Sequence, residues 1–364
     1  MSGGPRGVAE GGGALWVAPL TGMPEVAAGD DLAALLVDAA ASGDVGLRAG
    51  DCLVVSSKVV SKSLGLTFAG ERSAAVAEAT VRVVAERSAD GGGVSRVVES
   101  AAGPVMAAAG VDASNTGPTG AVLLLPTDPD GEAARLRSAV LALLGLPDDA
   151  AFGLVLSDTA GRPWRAGLTD LALGSAGLAV LDDLRGGVDH DGRPLAVTAR
   201  AVADELAGAA DLVKGKASGV PAAVVRGVEA SWFAPVAEGA RSLVRTGRGD
   251  WFALGHVEAV RAALGVSPGS VEAEDVGIPS TGDEPLGVRV GRVVALALLD
   301  VASGSADVGV DETAGSAEVT LSADDPYELG RLVTRCRVAA ASESLTATES
   351  ARGATTTTIT LIAG

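Results

Sequence analysis

The chain has 364 residues, enough for two or three domains, and 48% of them are hydrophobic although only 2% are aromatic. A formal net charge of −18 argues against nucleic acid or an anionic membrane surface as the principal partner, and leaves open an anionic small molecule held in a local basic pocket. Cys52 and Cys336 are too far apart in sequence to suggest a disulfide framework or zinc site, and with only His190 and His256 a His-rich metal centre is excluded.

No apolar run approaches the roughly 20 residues of a membrane span, so the expected location is cytoplasmic. Residues 1–13 are Gly-rich and read as a disordered tail. Leu15 to Val17 makes a first strand, and Asp30 or Asp31 caps a helix whose apolar face is Leu32, Leu35 and Leu36. Cys52 to Val55 reads as a buried strand. It runs into Ser56-Ser57-Lys58, and a helical turn there puts Lys58 and Lys62 on one side. Residues 74–89 read as helix. A polar knot containing Asp112, Ser114 and Asn115 precedes a short strand, Val122 to Leu125. Asp128-Pro129-Asp130 then starts a helix that Gly145 ends.

The next segment carries the most chemistry. An apolar strand from Phe152 through Leu156 ends in Ser157-Asp158-Thr159, followed by the turn Gly161-Arg162-Pro163 and by Arg165. A carboxylate beside hydroxyls at a strand end supplies the oxygen ligands that Mg²⁺ or Mn²⁺ requires. Guanidinium forks suit phosphate or carboxylate groups. A solvated polar turn explains the same residues, and the pairing of Asp112 with Asp158 is weak by spacing alone. The lysines at 58 and 62 fit either phosphate or a solvated helix start, and Asn115 either a base or a turn cap.

Further on, a helix from about Thr198 to Lys214 leads through the loop Gly215 to Gly219 into a strand from Pro221 to Arg226. That loop is not a phosphate loop of the G-x-x-x-x-G-K-[ST] kind, because position 210 is not Gly and a helix precedes it. Residues 266–286 are rich in Gly, Ser, Pro and acids, as linkers are. Val288 to Gly364 reads as helix, hairpin, a helix over about 325–340 and a Thr-rich last strand.

Taken in order, several of these pieces resemble one family, the coenzyme F420-0:L-glutamate ligases (F420:γ-glutamyl ligases). They are Gly22-Met-Pro-Glu-Val26 with Gly29-Asp-Asp-Leu32; Val54 through Lys62; Ala109-Gly-Val-Asp-Ala-Ser-Asn115; and Leu124-Leu-Pro-x-Asp-Pro-Asp130. Ser157-Asp-Thr-x-Gly-Arg162 follows, then Val202-Ala-Asp-Glu-Leu206 through Lys214-Gly-Lys216 to Val224-Val-Arg-Gly227. The likeness covers about residues 14–255.

The resemblance implies an α+β fold with a mixed-sheet ligase domain over 14–255; beyond it the residues themselves read as a linker over 256–286 and a small C-terminal α+β module over 287–364. The implied reaction is GTP-dependent addition of L-glutamate to coenzyme F420-0 through an acyl phosphate, with Mg²⁺ or Mn²⁺, K⁺ as a monovalent cation, and a homodimeric assembly. Asp112, Asp158 and Thr159 are then the expected metal ligands. Pro24, Glu25, Val26, Ala27, Ser57, Lys58, Lys62, Asn115 and the loop Val213, Lys214, Gly215, Lys216, Ala217, Ser218, Gly219 and Val220 are expected around GTP. Lys62 and Arg162 are the expected catalytic cations, and Arg162 or Arg165 is expected to hold either the incoming glutamate or the acceptor substrate's own acidic groups. Lys216 stands where archaeal-type members often carry an acid, so the resemblance gives no metal ligand from that loop. Some bacterial relatives fuse a nitroreductase-like domain, but residues after Gly255 do not resemble one, so no flavin is expected. A non-catalytic F420 or nucleotide binder, and a ligase for another amino acid, are the competing readings.

Overall fold

The computed structural model describes residues 14–43, 45–89, 92–112, 122–215, 218–245 and 247–363. Its chain divides into two compact units, one of residues 1–81 and 99–245 and one of 82–98 and 246–364. Asn115, Lys216 and Ala217 lie outside the described residues.

The first unit is built on a five-stranded mixed sheet. The strands lie in the order Trp16–Pro19, Ala222–Arg226, Asp51–Ser56, Gly153–Arg162 and Arg165–Ala176. Only the pair Asp51–Ser56 with Gly153–Arg162 is parallel; the other neighbours are antiparallel. The central strands are buried on both faces, as their unbroken apolar runs require. Leu53, Val55, Leu154, Leu156 and Val224 face one layer, packed with the helices Leu32–Ser42 and Pro129–Leu144. Cys52, Val54, Val155 and Val225 face the other, against Val202, Ala203, Leu206, Ala207 and Ala210 of the helix Val202–Lys214.

Local chemistry accounts for the helix ends. Asp31 caps the first helix by accepting from the Ala34 amide at 3.0 Å. Asp128 and Pro129 open the Pro129–Leu144 helix, and Gly145, at φ +67°, ends it in the left-handed conformation. Arg137 on that helix is buried, and its guanidinium donates to the carbonyls of Asp148, Ala150 and Phe152 at 2.8–3.0 Å. Burial lowers its pKa. One side chain thereby gives a donor to three carbonyls just before the Gly153–Arg162 strand begins.

Two elements differ from the sequence expectation. The helix expected over 74–89 covers only Arg72–Glu78, and Thr80–Ser88 is a strand. The β-branched residues Thr80, Val81, Val83 and Val84 favour the extended backbone there. The strand expected to stop at Ser157 continues to Arg162 as one arm of a hairpin, with a register shift between Leu156 and Ser157.

In the second unit, helices Leu286–Leu298 and Pro326–Ser342 pack on a four-stranded antiparallel sheet ordered Ser305–Asp311, Ser316–Ser322, Thr356–Ala363, Leu345–Arg352. Residues 256–286, expected to be a linker because 266–286 are rich in Gly, Ser, Pro and acids, hold the helices His256–Ala263 and Val271–Val276. Leu264, Val266 and Ala273 are buried in this unit's core. The acids that suggested a linker include Glu272 and Glu274 in the first turn of a helix capped by Ser270, where the helix dipole favours them. Among the described residues no helix is long and apolar enough to cross a membrane.

Candidate active site

The site originates at the one parallel pair in the sheet. Ser56 lies opposite Ser157 in the ladder, and the two strands run in the same direction, so the segments after them emerge at the same end. After Ser56 the chain turns into the helix Ser57–Ser63; after Ser157 it continues into Asp158 and Thr159. The buried Ser57 hydroxyl donates to Asp158 Oδ1 at 2.9 Å and ties the two segments together. The helix sets Lys58 and Lys62 one turn apart on one side.

A cavity of about 810 Å³ opens at this end of the sheet, within the size range of small-molecule sites. Asp112, Asp158 and Thr159 all line it, as do Lys58 and Lys62. Of the other positions expected around a nucleotide, Pro24, Glu25, Val26, Lys214, Gly215, Gly219 and Val220 are on its wall. Ser57 stands behind Asp158. Ala27, Val213 and Ser218 are not wall residues: the Ala27 amide bonds Asp30, Val213 packs in the core, and the Ser218 hydroxyl bonds the Lys214 carbonyl. Arg162, expected to be catalytic, is off the wall as well. It sits with Arg165 at the exposed tip of the hairpin, because the strand runs on past Thr159 and carries it outward. Trp164 beside it is 81% exposed.

The charges inside the cavity are unevenly balanced. Lys58 Nζ lies 2.6 Å from Asp112 Oδ2, and Lys62 pairs with Glu25. Asp158 is held by uncharged donors, the Ser57 hydroxyl and the Thr159 amide. Burial, then the nearby charges of Asp170 and Asp112, push its carboxyl up to about 6, with those two donors pulling the other way. Asp170 shows the opposite outcome. Burial favours its neutral form, but the Lys214 ammonium and the hydroxyls of Thr159 and Ser157 outweigh that and hold it below the usual carboxylate range.

The donor set suits a hard divalent cation. Among the wall residues are the carboxylates of Asp158, destabilised in its charged form, and of Asp112, paired with an ammonium, together with the Thr159 hydroxyl, all hard oxygen donors. Among the described residues no three His, Cys, Asp or Glu side chains converge as a preformed cage. Mg²⁺ is commonly held in that way, by one or two carboxylates with the remaining oxygens coming from phosphate and water.

The buried pair of Asp170 with Lys214 is absent from the sequence reading. The available signal was the hairpin: once 153–176 is folded about the turn after Gly161, Thr159 and Asp170 become cross-strand partners.

Residues 22–227, more than half of the chain, match the family described as F420-0:Gamma-glutamyl ligase. The chain belongs to this family. Similar proteins include the coenzyme F420:L-glutamate ligase of Halorubrum lacusprofundi, 40% identical over 227 residues that make up 56% of this chain and 84% of that protein. The protein of the same name from Halobacterium salinarum strain R1 is 41% identical over 231 residues, 57% of this chain and 85% of its own. That from Natronomonas pharaonis is 40% identical over 227 residues, covering 56% and 83%. Every wall residue of the cavity falls inside the segment that matches the F420-0:γ-glutamyl ligase family.

Proposed function

We propose that the protein is a ligase that joins L-glutamate to coenzyme F420-0 by an amide bond, with GTP as the activating nucleotide. The observation that carries this reading is the convergence of Asp112, Asp158, Thr159, Lys58 and Lys62 on one cavity within a family-matched segment. Forming an amide from a carboxylate and an amine requires activation of the carboxylate. In the proposed reaction a carboxylate oxygen of the acceptor attacks the γ-phosphorus of GTP and GDP leaves; the glutamate amine then attacks the acyl carbon and phosphate leaves.

Phosphoryl transfer of this kind asks the protein mainly for positioning and for cations where charge develops. Lys58 and Lys62, displaced from Asp112 and Glu25, would neutralise phosphate oxygens. Asp112, Asp158 and Thr159 would hold Mg²⁺ or Mn²⁺, which when bound offsets the negative charge of the phosphates. Lys214, Gly215, Gly219 and Val220, with Pro24, Glu25 and Val26, would enclose the nucleotide. A homodimer and a K⁺ requirement belong to the same reading, tested by light scattering and by replacing K⁺ with Na⁺.

The deciding assay incubates purified protein with F420-0, L-glutamate, GTP and Mn²⁺ and reads product masses. Gain of one or more glutamyl residues with release of GDP supports the proposal. Tight F420-0 binding with no gain identifies a binder instead, and gain only with another amino acid reassigns the substrate.

A further inference from the structure

Asp170 lines the cavity and has no part in the reaction above. Asp170 is only 5% exposed and lies opposite Thr159 in the antiparallel ladder. Its Oδ2 accepts from Ser157 Oγ at 2.8 Å and from Lys214 Nζ at 2.6 Å, and its Oδ1 accepts from Thr159 Oγ1 at 2.7 Å. Lys214 Nζ also donates to Ser157 Oγ at 2.7 Å, closing the network.

This arrangement has two consequences. The charge of Asp170 is matched by a buried ammonium, so Asp170 is not itself short of a cation. A hydroxyl has one hydrogen, and Thr159 directs its own to Asp170, so toward any other partner this cavity-lining residue's hydroxyl oxygen acts only as an acceptor. An oxygen held as an acceptor is what a hard cation needs, and groups that hold a ligand's orientation from behind commonly change metal affinity about 10- to 100-fold.

We propose that Asp170, balanced by Lys214, is a positioning residue that fixes the Thr159 hydroxyl as an acceptor, so that Thr159 and Asp158 face a divalent cation together. The inference rests on the metal and nucleotide reading above and deepens it. Removing Asp170 alone strands a buried ammonium, so the pair is replaced together. Asp170→Asn with Lys214→Met keeps an oxygen for Thr159 to bond, whereas Asp170→Ala with Lys214→Met does not.

Mn²⁺ binding is measured on the full chain with GTP, by the electron paramagnetic resonance of free Mn²⁺, alongside thermal unfolding. The Asn/Met protein is expected to bind Mn²⁺ within about 3-fold of wild type and the Ala/Met protein about 10- to 100-fold more weakly, with similar unfolding temperatures. Thr159→Val, which keeps the shape and lacks the oxygen, is expected to match the weaker one. Equal Mn²⁺ affinity in the two double variants, wild-type affinity in a folded Thr159→Val protein, or no Mn²⁺ binding by wild type overturns the proposal. A wild-type protein that binds Mn²⁺ with GTP yet adds no glutamate to F420-0 sinks the substrate assignment alone.

Discussion

Replacing Asp158 with Asn is expected to make the metal-free protein more stable while removing its activity. In the fold the Asp158 carboxyl is raised from 3.8 to about 6, chiefly by burial, so above pH 6 the charged form is held against its preference. A rise of that size corresponds to about 3 kcal/mol of differential stability, and about 1–3 kcal/mol is a reasonable expectation once relaxation is allowed for. The sign comes from proton binding. The folded state holds this proton more tightly than the unfolded chain, so the group's contribution is intact below about pH 4 and is lost as pH rises through about 6. Asn carries no charge and retains an oxygen to accept from Ser57, whose bond to Asp158 measures 2.9 Å. Urea unfolding of both proteins in EDTA, followed by circular dichroism from pH 4 to pH 8, reads the difference. The variant's advantage should be near zero at pH 4, grow through pH 6 and stay level above it. Mn²⁺ with GTP should then stabilise only the wild type. A variant equally or less stable at pH 7.5 in EDTA would show that the ionised Asp158 is not a burden to the empty cavity, and the case for a cation there would lose its electrostatic support.

Lys62→Ala should raise the KM for GTP about 10- to 100-fold in steady-state assays, the worth of a charge-assisted hydrogen bond to phosphate, and an unchanged KM would remove Lys62 from the nucleotide site. Arg137→Ala removes the donor to the carbonyls of Asp148, Ala150 and Phe152 and should destabilise the protein by about 2–4 kcal/mol in urea titrations; a loss under about 1 kcal/mol would mean that solvent replaces the guanidinium. Burial pushes the thiols of Cys52 and Cys336 up to about 12 and about 11, so at pH 8 neither should react with a thiol reagent until urea is added. Prompt labelling of the folded protein would contradict that.

Much of the sheet was legible because its strands are short apolar runs stopped by polar residues: Cys52 to Val55 and Phe152 to Leu156 are buried neighbours, and their polar sequels share one end. Asp112 was harder to join to Asp158, since spacing along the chain says nothing about which turns meet; the ordered set of motifs supplied that link. The Asp170 network lay out of reach for a similar reason. Its parts are separated by 11 residues at Thr159 and 44 at Lys214, and only the hairpin register and the helix packing bring them together. Arg162 went the other way, expected at the phosphates and found at an exposed tip, because reading Ser157 as a strand end shortened a strand that continues to residue 162. The helices His256–Ala263 and Val271–Val276 were hidden by Gly, Ser and acidic residues that serve as caps and first-turn charges as readily as they serve in linkers.

Whether Asp112 and Asp158 share a cation with the nucleotide is decided by a crystal structure of the protein with Mn²⁺ and a non-hydrolysable GTP analogue, the ion located by its anomalous scattering. Mn²⁺ is expected within about 2.5 Å of carboxylate oxygens from both residues, bridging to the analogue's phosphates, with Lys58 released from Asp112. Phosphates bound elsewhere, or an ion that touches neither carboxylate, would contradict it.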